Sequence, residues 1–334
     1  MKNLIFKTLV IIIFSGSILV GWAWKEFELI MTSKVSLPKD GLAFEVTSGM
    51  SFYTVANELR RQSIGPNPNW QRLIAWYYPE LTQIKVAEYQ IESDQSYYEV
   101  LKQLTTGVGK QYEIQLIEGI TFKEALGVIA SNEQLNQDIA LDVLSVRELL
   151  AIEADNPEGW LFPDTYQFPK NTNASELLKI MHRRLVQSLD TAWQNRALDN
   201  ELANPTELLI MASLIEKEAA IDSERTIISG VFHRRLAKRM RLQTDPTVIY
   251  AMGDEFNGDI RRKDLLRQSP YNTYRVFGLP PTPIALPSLA SLEAAANPAP
   301  GSSLYFVARG DGSHAFSNTL EEHNAAVRKY QLRK

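Results

Sequence analysis

Pro205-Thr206-Glu207-Leu208-Leu209-Ile210-Met211-Ala212-Ser213-Leu214-Ile215-Glu216-Lys217-Glu218-Ala219 is the stretch around which the rest of the chain organises itself. Its apolar residues recur at helical spacing around nearly the whole circumference, leaving Ser213 and Lys217 as a narrow polar strip. Such a helix is expected to be buried at the centre of a mixed α+β domain. It nonetheless carries Glu216 and Glu218. Glu218 follows Leu214 by one helical turn and Met211 by two, so it sits between large apolar side chains. Glu216 lies over Ala212 and Leu209. A carboxyl group there is paired, holds its proton, or lines a cleft. A salt bridge to Arg225, Arg234 or Arg235 and an acid facing a cleft are both compatible with the spacing.

Downstream, Arg241-Leu242-Gln243-Thr244-Asp245-Pro246-Thr247-Val248-Ile249-Tyr250 places a turn or helix start at Asp245-Pro246. Gln243, Thr244 and Asp245 offer hydrogen bonds to a polar ligand. Tyr250 closes this stretch, and Tyr271-Asn272-Thr273-Tyr274 precedes a rigid loop, Gly278-Leu279-Pro280-Pro281-Thr282-Pro283. Aromatic rings beside amides and hydroxyls suit sugars, which present an apolar face and many hydroxyls. Leu304 to Ala308 reads as a strand, and Gly310-Asp311-Gly312 as a hairpin turn toward His314-Ala315-Phe316.

Upstream, Phe44-Glu45-Val46, Ser48-Gly49 and Ser51 read as strand, turn and helix cap before Val55, Ala56 and Leu59. The same order returns at Ile114–Leu116, Glu118-Gly119 and Thr121, before Ala125, Leu126 and Ile129. Two strand-turn-helix units are thus expected within residues 41–135. A long helical region should follow, interrupted by a proline-bounded segment at Asn156–Pro169 and including a basic amphipathic helix near Leu177–Leu189.

The N-terminus decides the compartment. Lys2 and Lys7 precede Thr8–Trp24, which has no charged residue and, with Leu4, Ile5 and Phe6, approaches the ~20 residues of a membrane span. The flanking lysines place the N-terminus in the cytoplasm. Gly21 and Ala23 would suit a signal-peptide cleavage site, but Trp22 and Trp24 fit an interfacial anchor better. Pro38-Lys39-Asp40-Gly41 then turns the chain into its globular part.

Composition narrows the chemistry. The 334 residues suggest about two domains. With 35 Lys+Arg against 39 Asp+Glu, the net charge of −4 offers no basic excess for nucleic acid. The absence of cysteine excludes thiol catalysis, thiolate metal sites and disulfides. His182, His233, His314 and His323 form no ligand-spaced pair, so no metal or cofactor is expected.

Glu158-Gly159-Trp160-Leu161-Phe162-Pro163-Asp164-Thr165-Tyr166, Leu214-Ile215-Glu216-Lys217-Glu218, Arg241 through Tyr250, Tyr271–Tyr274 with Gly278-Leu279-Pro280-Pro281, and Leu304 through Phe316 closely resemble the YceG-like family of endolytic murein transglycosylases. The resemblance implies a transmembrane anchor in 1–30, a LysM-like small α+β module in 41–110 and a catalytic domain in 111–334. It implies single-pass insertion in the bacterial inner membrane with the catalytic domain periplasmic. The implied partners are peptidoglycan glycan strands and cell-wall synthases. The implied reaction cuts the bond from N-acetylmuramic acid to N-acetylglucosamine, leaves a 1,6-anhydro sugar and terminates strand elongation. Glu218 matches the family's catalytic glutamate; Gln243, Thr244, Asp245, Tyr250, Tyr271, Asn272 and Tyr274 are the substrate-binding candidates. The chain departs from its relatives at Ala87-Glu88-Tyr89, where a glycine often precedes the tyrosine. Ala219 stands where many soluble lytic transglycosylases have serine, and that serine's part falls to Asn272 or Thr244. A muramidase-type hydrolase using Asp245, and a non-catalytic peptidoglycan-binding scaffold, are the alternatives.

Overall fold

The computed structural model describes residues 2–107 and 109–332. The chain divides into two compact units, Met1–Tyr112 with Gln167–Lys170, and Glu113–Tyr166 with Asn171–Lys334.

The first unit begins with α1 (Lys2–Thr32), longer than the uncharged run because Lys25, Glu26 and Glu28 continue its last turns. From Phe6 to Trp24 the large apolar side chains face outward, and Phe6–Thr32 is long and apolar enough to cross a membrane. Phe27 and Met31, by contrast, are buried in the unit's own core. The chain then forms β1 (Leu42–Val46), α2 (Phe52–Arg61), α3 (Pro68–Tyr77), β2 (Ala87–Ile91) and α4 (Tyr97–Thr106). Strands β1 and β2 pair antiparallel with Phe44 opposite Tyr89. Ser51 caps α2 by accepting the Thr54 N–H at 3.2 Å, and Val55, Ala56 and Leu59 turn inward, as their spacing requires. Tyr89 is buried with its hydroxyl donating to Lys85 O at 3.0 Å.

The second unit opens on the repeated pattern. After β3 (Gln111–Gln115), Gly119 takes a left-handed φ of +77°, and Thr121 with Glu124 forms a capping box on α5 (Phe122–Ala130). Of the expected long helical region, the basic helix near Leu177–Leu189 is present as α7 (Ala174–Gln194), whereas the stretch before it holds only β4 (Leu135–Asn136), the short α6 (Val143–Leu149), β5 (Thr165–Pro169) and β6 (Thr172–Asn173). Strand β4 runs parallel to β6. Within the proline-bounded segment Gly159 takes a left-handed φ of +83°, and a Cβ on it would lie 2.6 Å from the Pro283 side chain, so this close approach requires glycine.

The remaining helices enclose a single one. Around α8 (Pro205–Glu218) pack α7 (Ala174–Gln194), α9 (Arg225–Ala237), α10 (Asp245–Met252) and α11 (Leu289–Ala296). Leu208 through Ile215 are all buried, so each large apolar side chain contributes about 1.5–3 kcal/mol. Ala294, Ala295 and Ala296 are buried in the same core, where small side chains let α11 approach closely. Ser213 is not on a polar strip. It is fully buried, donating to Ile210 O at 2.7 Å and accepting the Ile284 N–H at 3.1 Å, which removes the cost of enclosing a bare hydroxyl. The chain ends in the hairpin β7 (Tyr305–Ala308) and β8 (His314–Ser317), turned by Gly310 and Gly312 at positive φ, and α12 (Leu320–Tyr330).

Candidate active site

Glu218 is the last residue of α8, and Ala219 after it adopts extended backbone. Apolar packing therefore carries the helix up to its end and delivers one carboxyl group at the rim of the core. That carboxyl accepts a hydrogen bond from the Thr244 hydroxyl. Burial raises its pKa above the ordinary range; the Thr244 bond opposes this, the Asp245 charge adds to it, and His314 and Arg235 oppose it. The negative end of the α8 dipole also favours the protonated form.

The loop preceding α10 aims Thr244 and Asp245. Gln243 takes φ +52°, and its N–H donates to Thr273 O at 3.2 Å. The Thr244 N–H donates to Thr273 Oγ1 at 3.1 Å, while the Thr247 hydroxyl donates to Thr244 O at 2.7 Å. Pro246 sits in the first turn of α10, as Asp245-Pro246 suggested. Tyr274 donates its hydroxyl to Asp245 Oδ1 at 2.6 Å. Burial, then the Asp245 hydrogen bond, push the Tyr274 phenol well above its usual range, so it stays a donor.

Glu218, Gln243, Asp245 and Tyr274 thus line one cleft of about 470 Å³, together with Arg235, Tyr305 and His314. Thr244 lies behind them, itself buried. Asn272 does not reach this cleft. It is fully buried, donating to Leu265 O at 3.1 Å and Arg267 O at 2.8 Å and accepting the Tyr274 N–H at 3.0 Å. It holds the loop that carries Tyr274. Of the two residues considered in place of the serine after the glutamate, Thr244 is the one that touches Glu218.

Tyr250 and Tyr271 belong to a second cluster. Their rings lie 4.9 Å apart, and Asn156 Nδ2 donates to the Tyr250 hydroxyl at 2.9 Å. Tyr250 donates to Glu158 Oε2 at 3.2 Å, while Glu158 Oε1 accepts the Phe122 N–H at 2.7 Å and the Gly159 N–H at 3.2 Å. Burial pushes the Glu158 carboxyl up to about 7 despite these bonds.

Glu216 has both carboxylate oxygens partnered. Arg225 lies 3.4 Å from its Oε1, and the Ser288 N–H donates to Oε2 at 2.9 Å. Reasoning from the sequence missed Arg235 and His314 as cleft residues. Arg235 is buried, donating to Leu304 O at 2.6 Å and Leu242 O at 2.7 Å. Its place one turn after Val231 and two after Ile228, on the apolar face of α9, was the available signal. His314 Nδ1 lies 2.7 Å from Glu224 Oε2, a pairing across the sequence that no local pattern announces. Among the described residues, no group of three or more His, Cys, Asp or Glu is placed to hold a metal ion.

The YceG-like family matches residues 44–329. An endolytic murein transglycosylase from Bacillus subtilis (strain 168) is 30% identical over 313 residues, covering 87% of this chain and 85% of the relative. One from Streptococcus pneumoniae (strain D39) is 28% identical over 289 residues, covering 76% of this chain and 52% of the relative, about half of that protein's length. A crystal structure of a yceG-like protein from Listeria monocytogenes, 29% identical, aligns over 86% of this chain and 99% of that one with a TM-score of 0.57. The buried helix ending in Glu218 and the loops that meet it therefore lie within a domain of known kinship, and the chain belongs to the YceG-like family.

Proposed function

We propose that this protein is a membrane-anchored endolytic lytic transglycosylase that cuts peptidoglycan strands between N-acetylmuramic acid and N-acetylglucosamine. The observation that carries this reading is Glu218, a single carboxyl of raised pKa at the rim of the core, facing a polar cleft. The names of the B. subtilis and S. pneumoniae relatives point the same way.

Breaking a glycosidic bond requires protonation of the leaving oxygen as positive charge develops on the ring. Glu218 holds its proton in the free enzyme and gives it to that oxygen. The resulting carboxylate then takes the proton of the muramic C6 hydroxyl, whose oxygen attacks the anomeric carbon. The product is a 1,6-anhydro sugar, and one carboxyl suffices because the nucleophile belongs to the substrate. Thr244 occupies Oε1 and leaves Oε2 to carry the proton. Asp245 and Tyr274, bonded to each other, orient sugar hydroxyls and keep Glu218 protonated through the Asp245 charge. A hydrolase would need Asp245 as base or nucleophile; its bond from Tyr274 favours the orienting role.

In this reading α1 anchors the chain in the inner membrane with its N-terminus cytoplasmic. The β1–α2–α3–β2 unit is the LysM-like module, and the Glu218 domain works in the periplasm on strands that cell-wall synthases are making, ending their elongation. Incubation with purified sacculi and mass spectrometry of the released ends tests the reaction: anhydromuramic ends support it, reducing ends support the hydrolase, and no cleavage leaves only a binding scaffold.

A further inference from the structure

The segment where α1 enters the first unit is ringed by aromatic side chains. Trp24 of α1 meets Tyr77 of α3 edge-on at 5.4 Å, and Phe27 meets Tyr77 at 5.7 Å and Tyr78 at 6.2 Å. Trp76, the next ring at 6.5 Å from Tyr77, is 77% exposed although it lies on a short helix beside a well-packed core. Arg72, one turn before Trp76 on the same face of α3, is exposed as well. Trp22 on α1 is 62% exposed. Trp22 and Trp76 are thus largely uncovered and Tyr77 is 43% exposed, and no contact among the described residues of the first unit accounts for their exposure at this one level.

We propose that the C-terminal end of α3, with Trp76, Tyr77 and Arg72, lies in the interfacial layer of the bilayer that α1 crosses. The inference rests on α1 being a membrane span and adds a second lipid contact to it. The level follows from the helix itself: from Phe6 to Trp24, α1 rises about 27 Å at 1.5 Å per residue, close to the hydrocarbon thickness. Trp24 then marks the headgroup boundary, where tryptophan and tyrosine partition favourably because one end of the ring system is apolar and the other polar. Tyr77 touches Trp24, and Trp76 touches Tyr77, so both share that level. Arg72 is placed to reach lipid phosphate. The bilayer is the fitting occupant because the patch is continuous with the exposed apolar sleeve of α1. With Phe27 and Met31 buried in the unit's core, the unit is clamped on its anchor at fixed height and tilt.

The natural absence of cysteine allows a clean test on the full-length chain. Single variants Trp76→Cys, Arg72→Cys and Ile13→Cys, each carrying an environment-sensitive fluorophore, are reconstituted into phosphatidylethanolamine/phosphatidylglycerol vesicles with no other protein or glycan present. Lipids bearing a quencher near the headgroup should reduce emission at positions 76 and 72 several-fold, while iodide in the buffer quenches them weakly; Ile13 should respond to a quencher deep in the acyl chains. Lipid quenching at Ile13 with none at 76 and 72 overturns this proposal alone, and points to a soluble partner for the patch. Absence of lipid quenching at Ile13 overturns the span and the proposal together.

Discussion

Thr244 donates its hydroxyl hydrogen to Glu218 across 26 residues of sequence, joining the end of one helix to the cap of another. This contact ties the acid to the loop that also presents Asp245. It makes the protonation of Glu218 a property of both elements: burial raises the pKa, Thr244 restrains it, and Asp245 pushes it further up.

Two substitutions should therefore move the pH–rate profile in opposite directions. In the proposed reaction Glu218 acts protonated, so activity should fall as pH rises through its pKa. Thr244→Val removes the bond that stabilises the carboxylate, and the alkaline limb should move to higher pH. Asp245→Asn removes the charge that disfavours the carboxylate, and the limb should move to lower pH. Profiles measured on the release of anhydromuramic ends check both; limbs that coincide with wild type would detach Thr244 and Asp245 from the acid.

Glu158 should make folding stability pH-dependent. Its carboxyl is raised to about 7 in the folded chain, so the folded state binds more protons than the unfolded state between the two pKa values. Its stabilising contribution is fully present below the unfolded value, near the ordinary 4.5, and is lost as pH rises through about 7. The loss amounts to about 2–4 kcal/mol. Denaturant unfolding of Glu158→Gln at pH 5 and pH 8 should show a flatter dependence than wild type; identical slopes would remove Glu158 as the source.

Glu216, held by Arg225 and Ser288, is expected to act through stability. Glu216→Gln weakens the nearly buried pair with Arg225 while keeping an acceptor for Ser288, and should cost about 1–3 kcal/mol of stability. The specific activity of the folded fraction should stay within a few-fold of wild type. A collapse of activity with unchanged melting temperature would give Glu216 a part in the reaction.

Insertion can be read directly. A reporter enzyme active only outside the cytoplasm, fused after Lys334, should be active, and the protein should sediment with membranes. Recovery of a soluble mature chain beginning near Trp24 would turn α1 into a cleaved signal peptide.

The elements most legible in the sequence were those set by local chemistry. Ser51 and Thr121 cap the helices they precede, Asp245-Pro246 starts α10, and Gly310-Asp311-Gly312 turns the last hairpin. The apolar circumference of α8 likewise announced its burial. What escaped depends on contacts between distant segments. Ser213 has its place in the core because the Ile284 backbone needs an acceptor there, 71 residues away. Tyr250 sits 92 residues from Glu158 in sequence, and only folding shows that it serves that carboxyl instead of lining the Glu218 cleft. Asn272, among hydroxyls and rings that suit a sugar, spends its whole amide on its own loop.

The most direct test is Glu218→Gln, assayed on sacculi in isotopically labelled water. The variant keeps the size of the side chain and an acceptor for Thr244 but has no proton to give. Cleavage should fall about 10²–10⁴-fold with fold and sugar binding retained. Wild-type product should end in anhydromuramic acid carrying no oxygen from the solvent. Full activity in Glu218→Gln, or solvent label in the wild-type ends, would contradict the mechanism.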